Sequence, residues 1–336
     1  MGDPLALQRV RSDDEQYRHQ AASEAAFWQQ VPAGSLEACQ DQQHEGPLDL
    51  AVNRRFTGDE RVPWYETIAR HGPFRRGAFL GTSSLVSEAR ILETNPSLHM
   101  TFYDLSDGGL VRRVEALGAR FPGRVDTCRA DLNFVDLPAA SYDLIASSST
   151  VHHVTNLEYL GWQINRALTP GGYFFLQDYV GEPRFQFDTA KRRVYHALYN
   201  RDRARQGLPG TDLSWLDTSD LSPFCGLRSD EILDVFRGQL DQVGLQIAGA
   251  LTVPILRSRA CLDAVDSPWR SDAWVNQSAR RRWWEQLRKA LTGRWRSQQS
   301  LLLPEFCNEI VLIGDVMADA GVLKPGVAFA TYRKRA

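Results

Sequence analysis

The sequence predicts an α/β fold with a mostly parallel sheet, and three observations predict it. Between Arg76 and Arg184 short apolar runs alternate with helical stretches. Two of these runs are followed by aspartates, Asp104 and Asp131. The turns Gly81-Thr82-Ser83-Ser84 and Thr169-Pro170-Gly171-Gly172 punctuate the alternation. Strands and helices alternating at this spacing give parallel strands with right-handed crossovers. Such a sheet holds ligands at the carboxyl ends of its strands, where helix N-termini and strand-end carboxylates face one crevice. The order of elements therefore points to a nucleoside-bearing ligand.

Each element has its own reason. Asp13 to Val31 is rich in helix formers and ends near Phe27 and Trp28; Pro32, Gly34 and a Gln-rich polar stretch follow. This reads as a helical arm and a loop. Pro63-Trp64-Tyr65 opens a short helix that stops at His71-Gly72-Pro73, and both segments are placed to cover a ligand mouth. Ala78 to Gly81 is a short apolar strand. Ser83 to Glu93 follows as a helix with Leu85, Ala89 and Leu92 on one stripe. Leu98 to Leu105 is the next strand. Leu110, Val114 and Leu117 recur at helical spacing up to Phe121-Pro122-Gly123. Val125 to Ala130 and Tyr142 to Ser147 read as strands, Leu157 to Leu168 as a helix, and Tyr173 to Asp178 as the strand after the Pro-Gly-Gly turn. Beyond Asp188 the regularity weakens. An arginine-rich helix over Lys191 to Arg205 precedes a loop to Gly226, read as an insertion. A helix capped by Ser229 runs to Gly238, a strand covers Gly244 to Leu256, a helix Leu301 to Ala320, and a last strand Val327 to Tyr332. The stretch from Pro268 to Trp295 carries Trp269, Trp274, Trp283, Trp284 and Trp295 among arginines, which suits the packing face of a helical lid. The resulting division is an arm over 1–72, a ligand-binding core over 73–187, an insertion over 188–228, and the rest of the core over 229–336, itself interrupted at about 257–300.

With 336 residues, 43% of them hydrophobic and 24% charged, the chain buries a full core. Its formal net charge of −2 argues against a general nucleic-acid binder, which needs a basic surplus. Cys39, Cys128, Cys225, Cys261 and Cys307 are scattered and odd in number, so they suggest neither a disulfide framework nor a metal knuckle. Met1 to Gln20 lacks the apolar centre of a signal peptide, and no window reaches the roughly 20 apolar residues of a membrane span. A cytoplasmic protein without membrane or nucleic-acid partners is expected. The oligomeric state is left open.

Two segments carry a family resemblance. Asn53-Arg54-Arg55-Phe56-Thr57-Gly58-Asp59 with Trp64 forms a lead-in, and Asp178-Tyr179-Val180-Gly181-Glu182-Pro183-Arg184-Phe185-Gln186 forms a later segment; between them lies the spacing from Tyr142 through His152-His153 to Pro170-Gly171-Gly172. In these the chain resembles the class I S-adenosylmethionine-dependent methyltransferases, in particular bacterial members acting on small molecules. The resemblance runs from about Phe27 to the C-terminus. It implies a Rossmann-like class I methyltransferase fold, a mostly parallel seven-stranded sheet with an antiparallel C-terminal strand. It also implies S-adenosylmethionine as the cofactor.

The resemblance assigns roles residue by residue. Gly81, Thr82 and Ser83 would approach the amino-acid end of the cofactor, although the family's turn normally holds two or three glycines and this one holds one. That departure leaves a repositioned ligand, a damaged site or a tolerated variant. Asp104, with Leu105, would take the ribose hydroxyls. Asp131 would take the adenine amino group while Leu132 packs on the ring and Asn133 assists. Ser147 and Ser148, with Ser149, would let the ligand close to the backbone. His152 and His153 stand where many relatives carry a histidine pair; His153 is a candidate base or orienting group, with a plain hydrogen-bonded histidine as the alternative. No metal is expected, because no carboxylate or third histidine stands nearby at ligand spacing. Asp178 and Tyr179 complete the candidate catalytic set, Tyr179 by cation–π attraction to a sulfonium or else by ordinary packing. Arg184 either pairs with a ligand carboxylate or is tied up internally.

Three neighbouring carbons of a sulfonium are open to displacement, so the fold alone does not choose the reaction. Methyl transfer to a small-molecule, secondary-metabolite acceptor held in line is the leading expectation. Intramolecular cyclisation to azetidine-2-carboxylate with loss of methylthioadenosine is the alternative, followed by a non-catalytic binding protein. A nicotinamide-dependent oxidoreductase is remote, since Gly-x-Gly-x-x-Gly is absent.

Overall fold

The computed structural model describes residues 4–29, 47–81, 85–205, 207, 210, 222–253 and 304–335. Its centre is a seven-stranded sheet in the order β3-β2-β1-β4-β5-β7-β6. The strands are β1 (Arg76–Leu80), β2 (His99–Asp104), β3 (Val125–Arg129), β4 (Tyr142–Ser148), β5 (Leu168–Tyr179), β6 (Asp241–Ala248) and β7 (Val327–Arg333). Strands β1 to β5 pair in parallel, whereas β7 runs antiparallel to both β5 and β6. The expected mostly parallel sheet with an antiparallel C-terminal strand is thus the observed one.

Burial explains which sequences occupy which strands. Gly77–Leu80 of β1 is buried throughout, as a continuous apolar run between two neighbours and two helical layers must be. The edge strand β3 is exposed along Asp126–Arg129 and carries polar side chains, which suits an unpaired edge. Along β5 the faces alternate. Phe175 joins the core that includes Ile68, Leu92 and Phe102, and Phe174 and Leu176 join the core that includes Leu160, Ile164 and Phe236. A third cluster packs Tyr195 and Tyr199 against Phe306 and Ile310.

The helices are α1 (Glu15–Gln29), α2 (Pro47–Thr57), α3 (Leu85–Thr94), α4 (Asp107–Arg120), α5 (Leu157–Ala167), α6 (Thr189–Arg205), α7 (Ile232–Gln239) and α8 (Pro304–Asp319). Several expectations shift. Residues Pro47–Thr57 form a helix, of which the lead-in marks only Asn53 to Thr57, and Trp64–His71 is a 3₁₀ helix. The strand expected at Gly244 to Leu256 lies earlier, because its partner β7 fixes the register from Asp241↔Arg333 to Ala248↔Val327. The Pro-Gly-Gly step does not precede β5 but bulges within it: Tyr142 faces Leu168 while Leu144 already faces Tyr173. Ser229 does not cap its helix. Its Oγ donates instead to the Gly181 and Gly226 carbonyls, and a 3₁₀ turn over Ser229–Glu231 leads into α7. The Trp- and Arg-rich stretch and most of the Gly207 to Gly226 loop lie outside the described residues.

The strand order reverses between β1 and β4, which opens the crevice at their carboxyl ends. The N-terminal arm is fastened across this end. The buried Asn156 side chain accepts from the Arg9 and Val10 amides (2.7 and 3.0 Å) and donates to the Val10 carbonyl (3.1 Å). Among the described residues no helix is long and apolar enough to cross a membrane.

Candidate functional site

Gly81 closes β1 with φ +78, and its amide donates to the Tyr103 carbonyl at 2.7 Å. A Cβ at this position would lie 2.2 Å from Thr150 Cγ2 and Oγ1. The turn therefore accepts only glycine, on conformation and on space alike. Thr82, Ser83 and Ser84 lie outside the described residues. Asp104 ends β2, where its Oδ1 accepts from the Ser106 amide at 2.6 Å, and Leu105 beside it is half-buried. Asp131 follows β3. Its Oδ1 accepts from the Asn133 amide and Nδ2, and its Oδ2 accepts from the Tyr17 hydroxyl at 2.6 Å. Three bonds leave a carboxylate about one acceptor position of its four. Leu132 and Asn133 are buried beside it, and Asn133 Oδ1 accepts from the Thr155 and Asn156 amides.

Tyr17 was not legible as a site residue. It stacks on Phe224 (5.3 Å, 18°) and meets Phe134 edge-on (5.1 Å). Burial, reinforced by Asp131, pushes its phenol up, so it stays a neutral donor to that carboxylate.

At the end of β4 the serine hydroxyls are taken up internally. Ser147 Oγ donates to the Leu80 carbonyl and Ser148 Oγ to Gln177 Oε1, both at 2.8 Å, while Ser149 sits at φ 49. The chain then makes a 3₁₀ turn over Val151–His153 that presents both imidazoles, 4.2 Å between ring centres. Each ring is held through Nδ1 by a buried carboxylate: His152 by Asp178 Oδ1 at 2.5 Å and His153 by Glu24 Oε1 at 2.8 Å. His153 is the more exposed, at 13% against 8%.

The expectation that no carboxylate stands near the pair is thereby corrected, because folding brings Glu24 from α1 and Asp178 from the end of β5. Asp178 has no face toward the crevice mouth. It is fully buried and accepts from the Thr150, Val151 and Tyr179 amides besides His152, so its task is to hold the histidine turn in place. Tyr179 is also used internally. Its hydroxyl donates to the Glu182 carbonyl at 2.8 Å, and its ring stacks on Phe185 at 4.1 Å and lies against Gly181, where a Cβ would come within 2.6 Å of the tyrosine hydroxyl. These are the contacts of the packing role.

Cys225, after Tyr17 and Glu24, is the third site residue the sequence hid. It is buried, with a free thiol, and one ligand atom each from His152, His153 and Cys225 lie within 4.8 Å of one another. The loop carrying it is bolted down by Arg184, for which a ligand carboxylate and an internal tie were both open, and the internal tie is the one present. Arg184 Nη1 donates to the Ser222, Pro223 and Cys225 carbonyls at 3.0, 3.1 and 3.3 Å. The Gly226 amide donates to the His152 carbonyl at 2.9 Å. Glu24 is also saturated, accepting from Trp28 Nε1, Ser222 Oγ and the Phe224 amide.

Electrostatics bind these groups together. Burial raises the Glu24 carboxyl, but His153 and the donors of Phe224 and Trp28 outweigh it and hold it at about 2. Burial likewise raises the Cys225 thiol, and the two imidazoles overcome this and bring it to about 6. For His153 burial acts downward, while Cys225 and Glu24 carry it well above its ordinary value.

Residues 81–176 match the methyltransferase-domain family. The chain is 27% identical over 111 residues to a ubiquinone/menaquinone biosynthesis C-methyltransferase of Methylobacterium nodulans, a match covering 33% of this chain and 44% of that protein. It thus spans less than half the length of this curated relative. Two solved structures are remotely similar. A geranyl diphosphate C-methyltransferase of Streptomyces coelicolor A3(2) is 12% identical, with 94% of this chain and 98% of that one covered and a TM-score of 0.46. A phosphoethanolamine N-methyltransferase of Haemonchus contortus is 13% identical, with 91% and 62% covered and a TM-score of 0.43. With its sheet order and the match over 81–176, the chain carries a class I S-adenosylmethionine-dependent methyltransferase domain.

Proposed function

We propose that the protein transfers a methyl group from S-adenosylmethionine to a small-molecule nucleophile. The observation that carries this reading is the Glu24–His153 pair at the carboxyl end of β4, an oriented imidazole under a fastened N-terminal arm. Bound cofactor would supply an electrophilic methyl on a sulfonium and leave as S-adenosylhomocysteine.

The residues present fit that cofactor. The Gly81 turn permits one close backbone approach, Asp104 stands where ribose hydroxyls need an acceptor, and Asp131 keeps an acceptor position for an adenine amino group with Leu132 at its side. His153 is the group that orients the acceptor heteroatom. Asp178, Tyr179 and Arg184 are positioning residues: the first holds the His152 ring, the second packs behind it, and the third fixes the loop that closes the same wall. The arm excludes water through Tyr17 and Trp28, which pack against Phe224 and His153. Enclosure and orientation suit a displacement that depends on in-line geometry.

The test is product analysis. Purified protein is incubated with S-adenosylmethionine, alone and with panels of phenol, amine and carbon acceptors, and analysed by mass spectrometry. Acceptor-dependent S-adenosylhomocysteine is the expected result, falling ~10²-fold in His153→Asn, at the low end of what a positioned imidazole contributes. Methylthioadenosine released without acceptor would replace methyl transfer with intramolecular cyclisation or lysis.

A further inference from the structure

We propose that His152, His153 and Cys225 form a binding site for a zinc-class divalent ion. The inference goes beyond the methyl-transfer reading and changes one role in it: with an ion bound, the acceptor heteroatom would meet the ion's open position rather than His153 Nε2, while the ion-binding test itself is read without any acceptor.

The donor set comes first. Two imidazoles and a thiolate suit a borderline-soft ion, and three protein ligands leave a fourth position open, as catalytic rather than structural zinc sites do. One donor atom from each residue already lies within 4.8 Å of the other two. Tetrahedral zinc needs donors about 3.5 Å apart, so modest side-chain adjustments close the set.

The surroundings are those of a metal site. A metal-bound histidine almost always gives its second nitrogen to a carboxylate or carbonyl, which fixes the tautomer and turns the other nitrogen toward the ion. Both histidines have this arrangement: Nδ1 of His152 is on Asp178 and Nδ1 of His153 on Glu24, so Nε2 of each is the nitrogen that would take the ion. Ser222 Oγ, 3.3 Å from His153 Nδ1 and 2.9 Å from Glu24 Oε1, ties the same shell together. The third ligand is held rigidly by Arg184 and by the Gly226–His152 backbone bond.

Glu24 and Asp178 are 3% and 0% exposed, and among the described residues the ion pairs of both are with these imidazoles alone. Two buried carboxylates need compensating positive charge. Two protonated imidazoles supply it when no ion is present; a bound divalent ion would take over two of these charges with the imidazoles neutral and Cys225 as a thiolate. The open position would face the acceptor of the proposed reaction, and an oxygen or nitrogen bound there would lose its proton more easily.

The experiment uses the whole protein freed of metal by chelation. Cobalt(II) is titrated in and the near-ultraviolet thiolate-to-cobalt absorption recorded, and bound zinc is counted by elemental analysis after equilibration with zinc alone. One ion per chain with the thiolate band is expected. Cys225→Ser should abolish the band, and Glu24→Gln should weaken affinity ~10–100-fold, the usual cost of losing such a carboxylate. Circular dichroism and thermal unfolding of the same samples check that each variant is folded. Folded wild-type protein that takes up neither ion, or binding undiminished in Cys225→Ser, overturns the site. Acceptor screening is read separately, so metal binding without methyl transfer contradicts only the function, and methyl transfer without metal contradicts only the site.

Discussion

Gly81 bears the tightest backbone requirement in the crevice. Its φ of +78 and the 2.2 Å approach to Thr150 act together on any replacement. Alanine would suffer both backbone strain and an overlap with a side chain anchored through the Ser148 carbonyl. Gly81→Ala should therefore lower stability by about 2–4 kcal/mol, summing one strained residue and one overpacked contact. Thermal unfolding checks this; an unchanged midpoint would mean that the turn relaxes freely. At this scale the sequence was informative about position: Asp104, Asp131 and the histidine pair stand at or just beyond strand ends, where the order of elements put them. It was silent on Glu24, Tyr17 and Cys225. Each reaches the site from a distant element, and nothing in the helix formers around Glu24 or in Pro223-Phe224-Cys225-Gly226 marks a partner.

Among the elements, α8 shows how a buried charge sets pH behaviour. Asp315 is 5% exposed; it accepts from the Gly249 amide at 3.1 Å and lies 3.7 Å from Arg55, whose Nη2 pairs with Asp319 at 2.6 Å. Burial raises its carboxyl to about 6, against the pull of Arg55 and the amide. The folded state therefore holds this proton more tightly than the unfolded chain. Its contribution to stability is greatest below about pH 4 and is lost as pH rises to about 6. Asp315→Asn keeps an acceptor for Gly249 and removes the titration. Denaturant unfolding from pH 4 to pH 7 should show a flatter profile for the variant, with a relative gain of order 2 kcal/mol at the upper end. An unchanged slope would assign the pH dependence elsewhere. The strands were legible because apolar runs between punctuating glycines leave few choices. Boundaries were not: β6 takes its register from β7, and the polar PLDLAVNRRFT run folds as α2 because Phe56 and Ala51 find cores that no local pattern reveals.

In the whole molecule, a parallel sheet exposes its strand ends at one rim, and the N-terminal arm and the 222–228 loop close over it. The arm is held by Asn156, Asp131 and His153, so Asp131, expected to hold cofactor, also holds the cover. Cofactor entry must then displace or share some of these bonds, the Tyr17–Asp131 bond first. The fold class followed from the order of elements, while the layout of the cover depended on contacts between segments far apart in the chain. The central claim is that the rim binds S-adenosylmethionine through its strand-end carboxylates. Isothermal titration calorimetry with S-adenosylhomocysteine tests it most directly. The account predicts one saturable site on the wild-type chain and loss of binding in Asp104→Ala, with the unfolding midpoint retained. No heat from well-folded wild-type protein, or undiminished binding in the variant, would contradict it.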